Sequence, residues 1–183
     1  MSYMGSGNSN GGAWRNDGGV PPHAFDPWLQ PELFRGVLTR RGIAFLIDLI
    51  VLSVPIVLAI LFIAVFGIVT LGLGWALFWL VSPASIIWAL VYYGASLGGP
   101  HSATLGMRVM DLELRTWYGA PGYFVLGAMH AVLFWISISV LSPLVLLVGL
   151  FNGRRRLLHD VVLGTVVINN SVRSQVAPAA RTY

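Results

Sequence analysis

Two long apolar stretches dominate the hydrophobic pattern of the chain. The first runs from Gly42 to Gly67 and is interrupted by Asp48, Ser53 and Pro55. The second, from Trp75 to Leu97, reads WALFWLVSPASIIWALVYYGASL. Each is long enough for the roughly 20 residues that a helix needs to cross a bilayer. The pattern therefore predicts a hairpin of two transmembrane helices, joined by a turn between Gly67 and Gly74.

A third apolar region, residues 116–153, holds no formally charged side chain. As one straight helix it would be about 57 Å long, nearly twice the thickness of the hydrocarbon core. We expect a third span near 123–138 and a fourth, short or broken segment near 140–151, interrupted at Ser142 and Pro143. Three crossings are the alternative. The predicted fold class is an all-α integral membrane protein, a small bundle of three or four transmembrane helices.

Shorter patterns surround these spans. Apolar residues alternate with charged ones over 110–115, which predicts a short strand-like loop on the cytoplasmic side. Residues 154–164 predict an interfacial helix that ends at Gly164. Residues 1–30 are rich in Gly, Asn, Ser and Pro, which predicts a disordered tail. The membrane domain is expected to span residues 36–169. Residues 170–183 are expected to form a flexible tail. Aromatic residues expected at the headgroup level are Trp28, Phe34, Trp75, Trp79, Tyr92 and Tyr93.

Composition narrows the class of protein. Of the 183 residues, 56% are hydrophobic and 10% are charged, against about a quarter charged in a typical soluble domain. A freely soluble enzyme is therefore not expected, and no catalytic motif is apparent. The absence of cysteine excludes disulfides, thiolate metal sites and a cysteine nucleophile. No metal site, cofactor or nucleic-acid interaction is predicted.

The positive charges predict the orientation in the membrane. All eleven cations are arginines, and the net charge is +4. By the positive-inside rule, Arg41, Arg108 and Arg155 belong on the cytoplasmic side, together with the N-terminus. No apolar core of a secretory signal peptide precedes the first span, so we expect that span to remain in the mature protein.

Asp48 is the most conspicuous polar residue of the spans. A charged Asp at the centre of a spanning helix costs roughly 2.5 to 3.5 kcal/mol, so a cavity or a polar partner is expected. Asp48 is either part of a structural contact or a site for protons or cations. Arg41 lies two turns earlier on the same face, about 10 Å away in helix rise, and is a candidate to compensate the charge.

Three further residues are candidates for ion pairs or ion transport. Asp160 follows Arg156 by four residues, a spacing typical of a surface ion pair. Alternatively, Asp160 and His159 contact Arg41 or Arg108 and link the C-terminal segment to the first helix. His130 is the only ionisable residue of the third span apart from tyrosine; it is either a neutral, hydrogen-bonded histidine between helices or a proton shuttle.

Three motifs resemble those of the RDD family of small integral membrane proteins, which is named for one arginine and two aspartates. They are Arg41 to Asp48, Thr104-Leu105-Gly106-Met107-Arg108, and Leu158-His159-Asp160 with the following Gly164-Thr165-Val166-Val167. Met107 stands where the family usually has lysine. The resemblance implies a bacterial plasma-membrane protein, with transport, including cation/proton antiport, as the suggested activity.

Two classes of function follow. The first is transport of ions or small solutes, with Asp48 as the protonatable group and monovalent cations and protons as ligands. Three or four helices are few for alternating access, so a homo-oligomer or another membrane protein is expected as a partner, in addition to the lipid bilayer. The second is a scaffold or assembly factor that transports nothing and uses its Arg and Asp residues only to hold its own helices together.

Overall fold

Helices dominate the part of the chain that this computed structural model describes, residues 24–141 and 154–176. The helices are α1 (Val37–Val69), α2 (Phe78–Leu97), α3 (Leu105–Val109), α4 (Phe124–Leu141), α5 (Leu158–Leu163) and α6 (Asn170–Val176). Short 3₁₀ helices span Pro31–Phe34 and Leu73–Leu77. Strands β1 (Leu112–Thr116) and β2 (Thr165–Asn169) form one antiparallel pair.

The predicted hairpin is present as α1 and α2. By length and composition, the helical stretches Pro31–Val69 and Leu73–Leu97 could both cross a membrane. Only 11% and 6% of their most apolar windows are buried within the protein. Their apolar side chains therefore face outward, unlike those of a core helix in a soluble domain. At the turn, a Cβ on Gly67 would lie 1.8 Å from the Trp75 ring, so glycine is needed there.

The third apolar helix, α4, packs against α2. Small residues allow this close approach, since a Cβ on Gly98 or on Gly127 would lie within 2.7 Å of backbone atoms of the facing helix. The apolar stretch Phe124–Ser137 is shorter than those of α1 and α2. The predicted fourth segment, near 140–151, lies outside the described residues except for its first two positions.

The antiparallel strand pair confirms the predicted strand, which is β1, and adds β2 as a partner that the sequence did not indicate. β1 pairs with β2 in the register Leu112↔Asn169 to Thr116↔Thr165. Glu113, one of the charged residues of β1, is only 2% exposed. Its carboxylate is held by Arg115 and by Arg173 of α6, which cover this side of the strand.

The predicted tails need correction at their inner ends. Residues 170–176, expected to be flexible, form α6. Ala24, in the expected disordered segment, donates a backbone hydrogen bond to Trp117 O at 3.2 Å. Phe25 packs against a small core formed by Leu33, Phe34, Val166 and Ile168. Residues 1–23 and 177–183 lie outside the described residues.

Three of the aromatic residues expected at the membrane interface are instead buried. Phe34 is 5% exposed and belongs to the small core beside β2. Tyr92 and Tyr93 are each 8% exposed and pack in the main core with Leu97, Leu112 and Leu114. Their position near a helix end was correct, but α3, α4 and β1 cover that end of α2. Trp28 is 92% exposed and Trp79 72%.

Candidate functional site

Asp48 lies in a fully hydrogen-bonded cage between α1, α2 and α3. Its carboxylate accepts hydrogen bonds from Tyr92 OH at 2.6 Å, Thr104 Oγ1 at 2.6 Å and Gly106 N at 2.8 Å. The residue is 3% exposed. Three donors satisfy a buried carboxylate on both of its oxygens, which lowers the cost of placing it inside the bundle. We call Asp48, Tyr92, Thr104 and Gly106 the Asp48 cage.

The Thr-Leu-Gly motif explains how this cage forms. The Thr104 side chain caps α3 by accepting from Met107 N at 3.1 Å, and its hydroxyl donates to Asp48. Leu105 N donates to Tyr92 OH at 3.2 Å. A Cβ on Gly106 would lie 2.1 Å from Ala44 O, so only glycine lets α3 approach α1 closely enough for the Gly106 amide to reach Asp48.

Arg41 takes no part in the cage and belongs to a second group of residues. Its guanidinium donates to Asp160 Oδ2 and lies 3.4 Å from His159 Nε2. Asp160 Oδ1 lies 3.6 Å from His159 Nε2 and 3.7 Å from His130 Nδ1. We call Arg41, His130, His159 and Asp160 the Arg41 cluster. It joins α1, α4 and α5, and the His130 and His159 rings meet edge to face at 4.6 Å.

The Arg41 cluster decides between the two alternatives for Asp160. The side chain contacts Arg41 and is fully buried, rather than forming a surface pair with Arg156. Arg156 is itself buried, lies over the Trp117 ring at 4.1 Å, and donates to the backbone oxygens of Asp160 and Thr165 at 2.9 Å. Arg156 therefore shapes the turn around α5, whereas Arg41 compensates the carboxylate.

The two aspartates differ in how completely their oxygens are bonded. Asp160 Oδ2 accepts from Arg41 and from Leu157 N at 3.0 Å. Asp160 Oδ1 is buried and has no hydrogen-bond partner among the described residues, and the same holds for His130 Nδ1 and His159 Nδ1. Unpartnered buried polar atoms are rare in folded proteins and point to a ligand, a water or a functional requirement.

Charges and burial set the protonation of α5. Burial alone would raise the pKa of Asp160, but the Arg41 guanidinium and the two imidazoles outweigh it and hold that pKa below its ordinary value. Burial lowers the pKa of His159, and the attraction of Asp160 offsets this only in part. At neutral pH the carboxylate is therefore ionised and His159 is neutral, so the ring nitrogen that carries no proton has a lone pair that can bind a cation.

The same three side chains have the composition of a metal site. One ligand atom from each of His130, His159 and Asp160 lies within 4.8 Å of the others. The spacing in the sequence gave no such indication, because His130 is in a different helix. The Arg41 guanidinium on the other oxygen of Asp160 repels a cation, which favours a weakly held or exchangeable ion over a permanent metal.

Arg108 joins neither group. Its side chain is exposed and lines a cleft beside β1 and α6. Arg40, the other arginine at the start of α1, donates to Asn169 Oδ1 at 3.1 Å. Asn169 also donates to Glu32 O and Arg35 O, so it fastens β2 to the entry of α1.

Several residues of these networks were not expected from the sequence. Tyr92 looked like an interfacial aromatic, and its hydroxyl partner could be found only by knowing that α3 folds back onto α2. Thr104 and Gly106 carried a signal, since both belong to a motif. Glu113 and Asn169 gave none, because Arg173, the second partner of Glu113, lies 60 residues away in the chain and the partners of Asn169 lie more than 120 residues away.

The fold and the Arg41 cluster describe a helical membrane protein in which Arg41 of α1 and Asp160 of α5 contact each other. A model of the RDD family matches residues 35–164. The match covers more than half of the chain, and the chain belongs to the RDD family. Neither the curated proteins nor the solved structures gave a match to it.

Proposed function

We propose that this protein exchanges protons for small cations across the plasma membrane, and that the Arg41 cluster is the exchange site. One observation carries the proposal: Asp160 Oδ1 is fully buried, has no hydrogen-bond partner among the described residues, and faces two imidazoles within 3.7 Å. Ionisable groups withdrawn from water inside a membrane protein are expected to serve an ion or proton path.

The geometry supports competition between the two ions. Arg41 keeps Asp160 ionised, so Oδ1 can accept a cation while His130 and His159 are neutral. Protonation of either imidazole places a positive charge within 3.7 Å of the same oxygen and disfavours the cation there. One negative oxygen shared by a proton-carrying ring and a cation is the minimum that antiport requires.

Asp48 has a different role in this proposal from the one expected from the sequence. Its two oxygens already accept three hydrogen bonds, so a cation would have to displace a donor from the cage. A hydrogen-bonded carboxylate of this kind favours a structural role, holding α3 against α1 and α2. We assign the exchange to Asp160 and the fastening to Asp48.

The topology of the described residues supports an even number of crossings. The entry of α1, the pair of strands and α5 lie at one end of the bundle, since Arg41 contacts Asp160 and β1 pairs with β2. The chain leaves this end at the start of α4 and is at the same end again at Arg154, whose side chain donates to Phe25 O. With the arginines cytoplasmic, the N-terminal region is cytoplasmic too.

A scaffold without transport activity is the second candidate, and the Asp48 cage favours it. If both aspartates only fasten helices, the exposed apolar faces of α1 and α2 would serve to bind lipid and another membrane protein. The Arg41 cluster distinguishes the two candidate functions, because a purely structural contact between helices does not need titratable imidazoles.

Ion exchange can be tested with the purified full-length protein in liposomes that contain a pH-sensitive dye. Sodium, potassium or lithium added outside should make the lumen more alkaline as protons leave. The double variant His130→Asn/His159→Asn keeps a polar group at both positions without a titratable ring and should abolish this response. Glu32→Gln, which changes an exposed carboxylate outside the cluster, should leave it intact. No response of the wild type to any of the three cations would favour the scaffold.

A further inference from the structure

A cleft of about 290 Å³ opens beside the β-strand pair, and no residue of the Asp48 cage or of the Arg41 cluster lines it. It lies between the loop that follows α2, the start of β1 and the start of α6. Three arginines contribute to its wall, together with His101 and Asn170. We call it the arginine cleft: Arg108, Arg115 and Arg173, with Glu113 at its base.

The charge of the cleft is positive although it contains a carboxylate. Glu113 is 2% exposed and is held by Arg115 at 2.8 Å and by Arg173. Three arginines and one buried carboxylate therefore line the cleft, which gives a net formal charge of +2 without His101. Asp111, the other acidic residue of this region, accepts hydrogen bonds from Ser171 and does not line the cleft.

Glu113 also holds the arginines in place. Its two oxygens receive one guanidinium each, Arg115 on Oε2 and Arg173 on Oε1. The side chains of Arg115 and Arg173 are 15% and 25% exposed, so they are fixed in position yet keep part of their donors accessible. Arg108 is exposed and forms no ion pair with another of the described residues. Fixed guanidinium donors are well suited to a phosphate, which accepts hydrogen bonds in a fork geometry.

The position of the cleft matches the headgroup level of a bilayer. Pro100 and His101 follow the end of the apolar helix α2 at Leu97, where the chain leaves the hydrophobic region. On α3, Leu105 and Val109 are 44% and 69% exposed, on either side of Arg108 in the sequence. Apolar side chains beside an exposed arginine are typical of a helix at the interface between acyl chains and headgroups.

We propose that the arginine cleft binds a phosphate group, and that an anionic lipid headgroup of the cytoplasmic leaflet is its source. This site is separate from the Arg41 cluster, so it stands whether or not the protein exchanges ions. A bound headgroup would join the loop after α2, β1 and α6, and thereby hold the C-terminal helix at the membrane surface.

The test uses the full-length protein in detergent, with tryptophan fluorescence as the readout of binding. The probes are short-chain phosphatidylglycerol, short-chain phosphatidylcholine and inorganic phosphate. Phosphatidylglycerol should bind more tightly than phosphatidylcholine, and R108Q should weaken its binding about fivefold, as expected for one arginine near an anionic lipid. R35Q removes the same charge from an exposed position outside the cleft and should leave binding unchanged.

Each outcome has a definite meaning. Binding of inorganic phosphate that is lost in R108Q, without a preference for phosphatidylglycerol, supports a phosphate site but makes soluble phosphate its source. Equal effects of R108Q and R35Q, or equal binding of the two lipids without binding of phosphate, overturn the proposal. If R108Q does not fold, competition on the wild type decides: displacement of phosphatidylglycerol by inorganic phosphate supports the site, and its absence rejects it.

Discussion

The Arg41 guanidinium near the start of α1 pairs with the Asp160 carboxylate of α5, 119 residues later in the chain. The Arg41 side chain is 11% exposed and that of Asp160 is fully buried. Arg41 and Asp160, which the motif resemblance matches to two of the three residues in the family's name, therefore contact each other, whereas Asp48 lies in a separate cage. The pair fastens the C-terminal segment to the first helix and keeps the Asp160 carboxylate ionised beside the two neighbouring imidazoles.

Breaking this pair from one side should be costly. Arg41→Gln leaves the Asp160 carboxylate buried without its cation, and we expect a loss of about 3 to 5 kcal/mol in the free energy of unfolding. Asp160→Asn alone should also destabilise the protein. The double variant should recover part of the loss, with a coupling energy above about 0.5 kcal/mol.

Chemical unfolding in detergent measures all three variants. Arg35→Gln is the matched control, since its partner Glu32 and Arg35 itself are exposed and such pairs contribute about 0 to 1 kcal/mol. Strictly additive effects of Arg41→Gln and Asp160→Asn would show that the two residues are not coupled.

Replacement by alanine should affect stability in opposite ways at Gly106 and Gly42, the glycines of two of the sequence motifs. At Gly106 a Cβ would meet Ala44 O at 2.1 Å, so Gly106→Ala should force α3 away from α1, lengthen the hydrogen bond to Asp48 and destabilise the protein by about 1 to 3 kcal/mol. At Gly42, within α1, nothing lies within 4 Å of a Cβ. Gly42→Ala should be neutral or stabilise by up to about 1 kcal/mol. A neutral Gly106→Ala would contradict the close approach of α3.

The sequence predicted the apolar helices well and the contacts between polar residues less well. The hairpin of α1 and α2, the strand near Leu112 and the helix that ends at Gly164 follow from local periodicity and composition. The pairing of β1 with β2 could not be predicted in that way, since it depends on α4 bringing the chain back to the same end of the bundle.

The candidate site shows the same limit. Asp48 and Arg41 stand out because charge is rare in their surroundings, and their spacing made Arg41 a candidate partner of Asp48. In the structure, Asp48 instead accepts hydrogen bonds from the hydroxyls of Tyr92 and Thr104. Arg41 forms an ion pair with the carboxylate of Asp160. These contacts depend on how α3 and α5 pack against α1. The hydrophobic pattern of a single helix carries no information about that packing.

Acid should destabilise the protein through α5. His159 has a folded-state pKa below its ordinary value of about 6.5, so the unfolded chain binds the proton more readily and stability is lost as the pH falls below that value. Asp160, whose pKa is also lowered, adds a further loss below about pH 4.

Thermal unfolding in detergent between pH 7.5 and pH 5 tests this assignment. The melting temperature of the wild type should fall with pH, and His159→Asn should flatten the slope. His101→Asn changes an exposed histidine and should leave the slope as it is. A wild-type melting temperature that does not change over this range would contradict a buried neutral His159.

The orientation can be tested by cysteine labelling, because the chain has no cysteine of its own. In intact cells, cysteines that replace Arg108 or Arg155 should be protected from a membrane-impermeant reagent. A cysteine in place of Leu73, which is 82% exposed in the turn between α1 and α2, should be labelled from outside. Labelling at 155 with protection at 108 would mean an odd number of crossings between these residues.

Cation-driven proton flux in liposomes distinguishes Asp160 from Asp48 as the proposed exchange site. The double variant Arg41→Gln/Asp160→Asn removes the charge pair without leaving one charge buried alone, and Asp48→Asn changes the cage. With equal amounts of folded protein, we expect flux close to the wild type for Asp48→Asn and none for the double variant. Flux that survives in the double variant, or that is lost only in Asp48→Asn, would contradict this assignment.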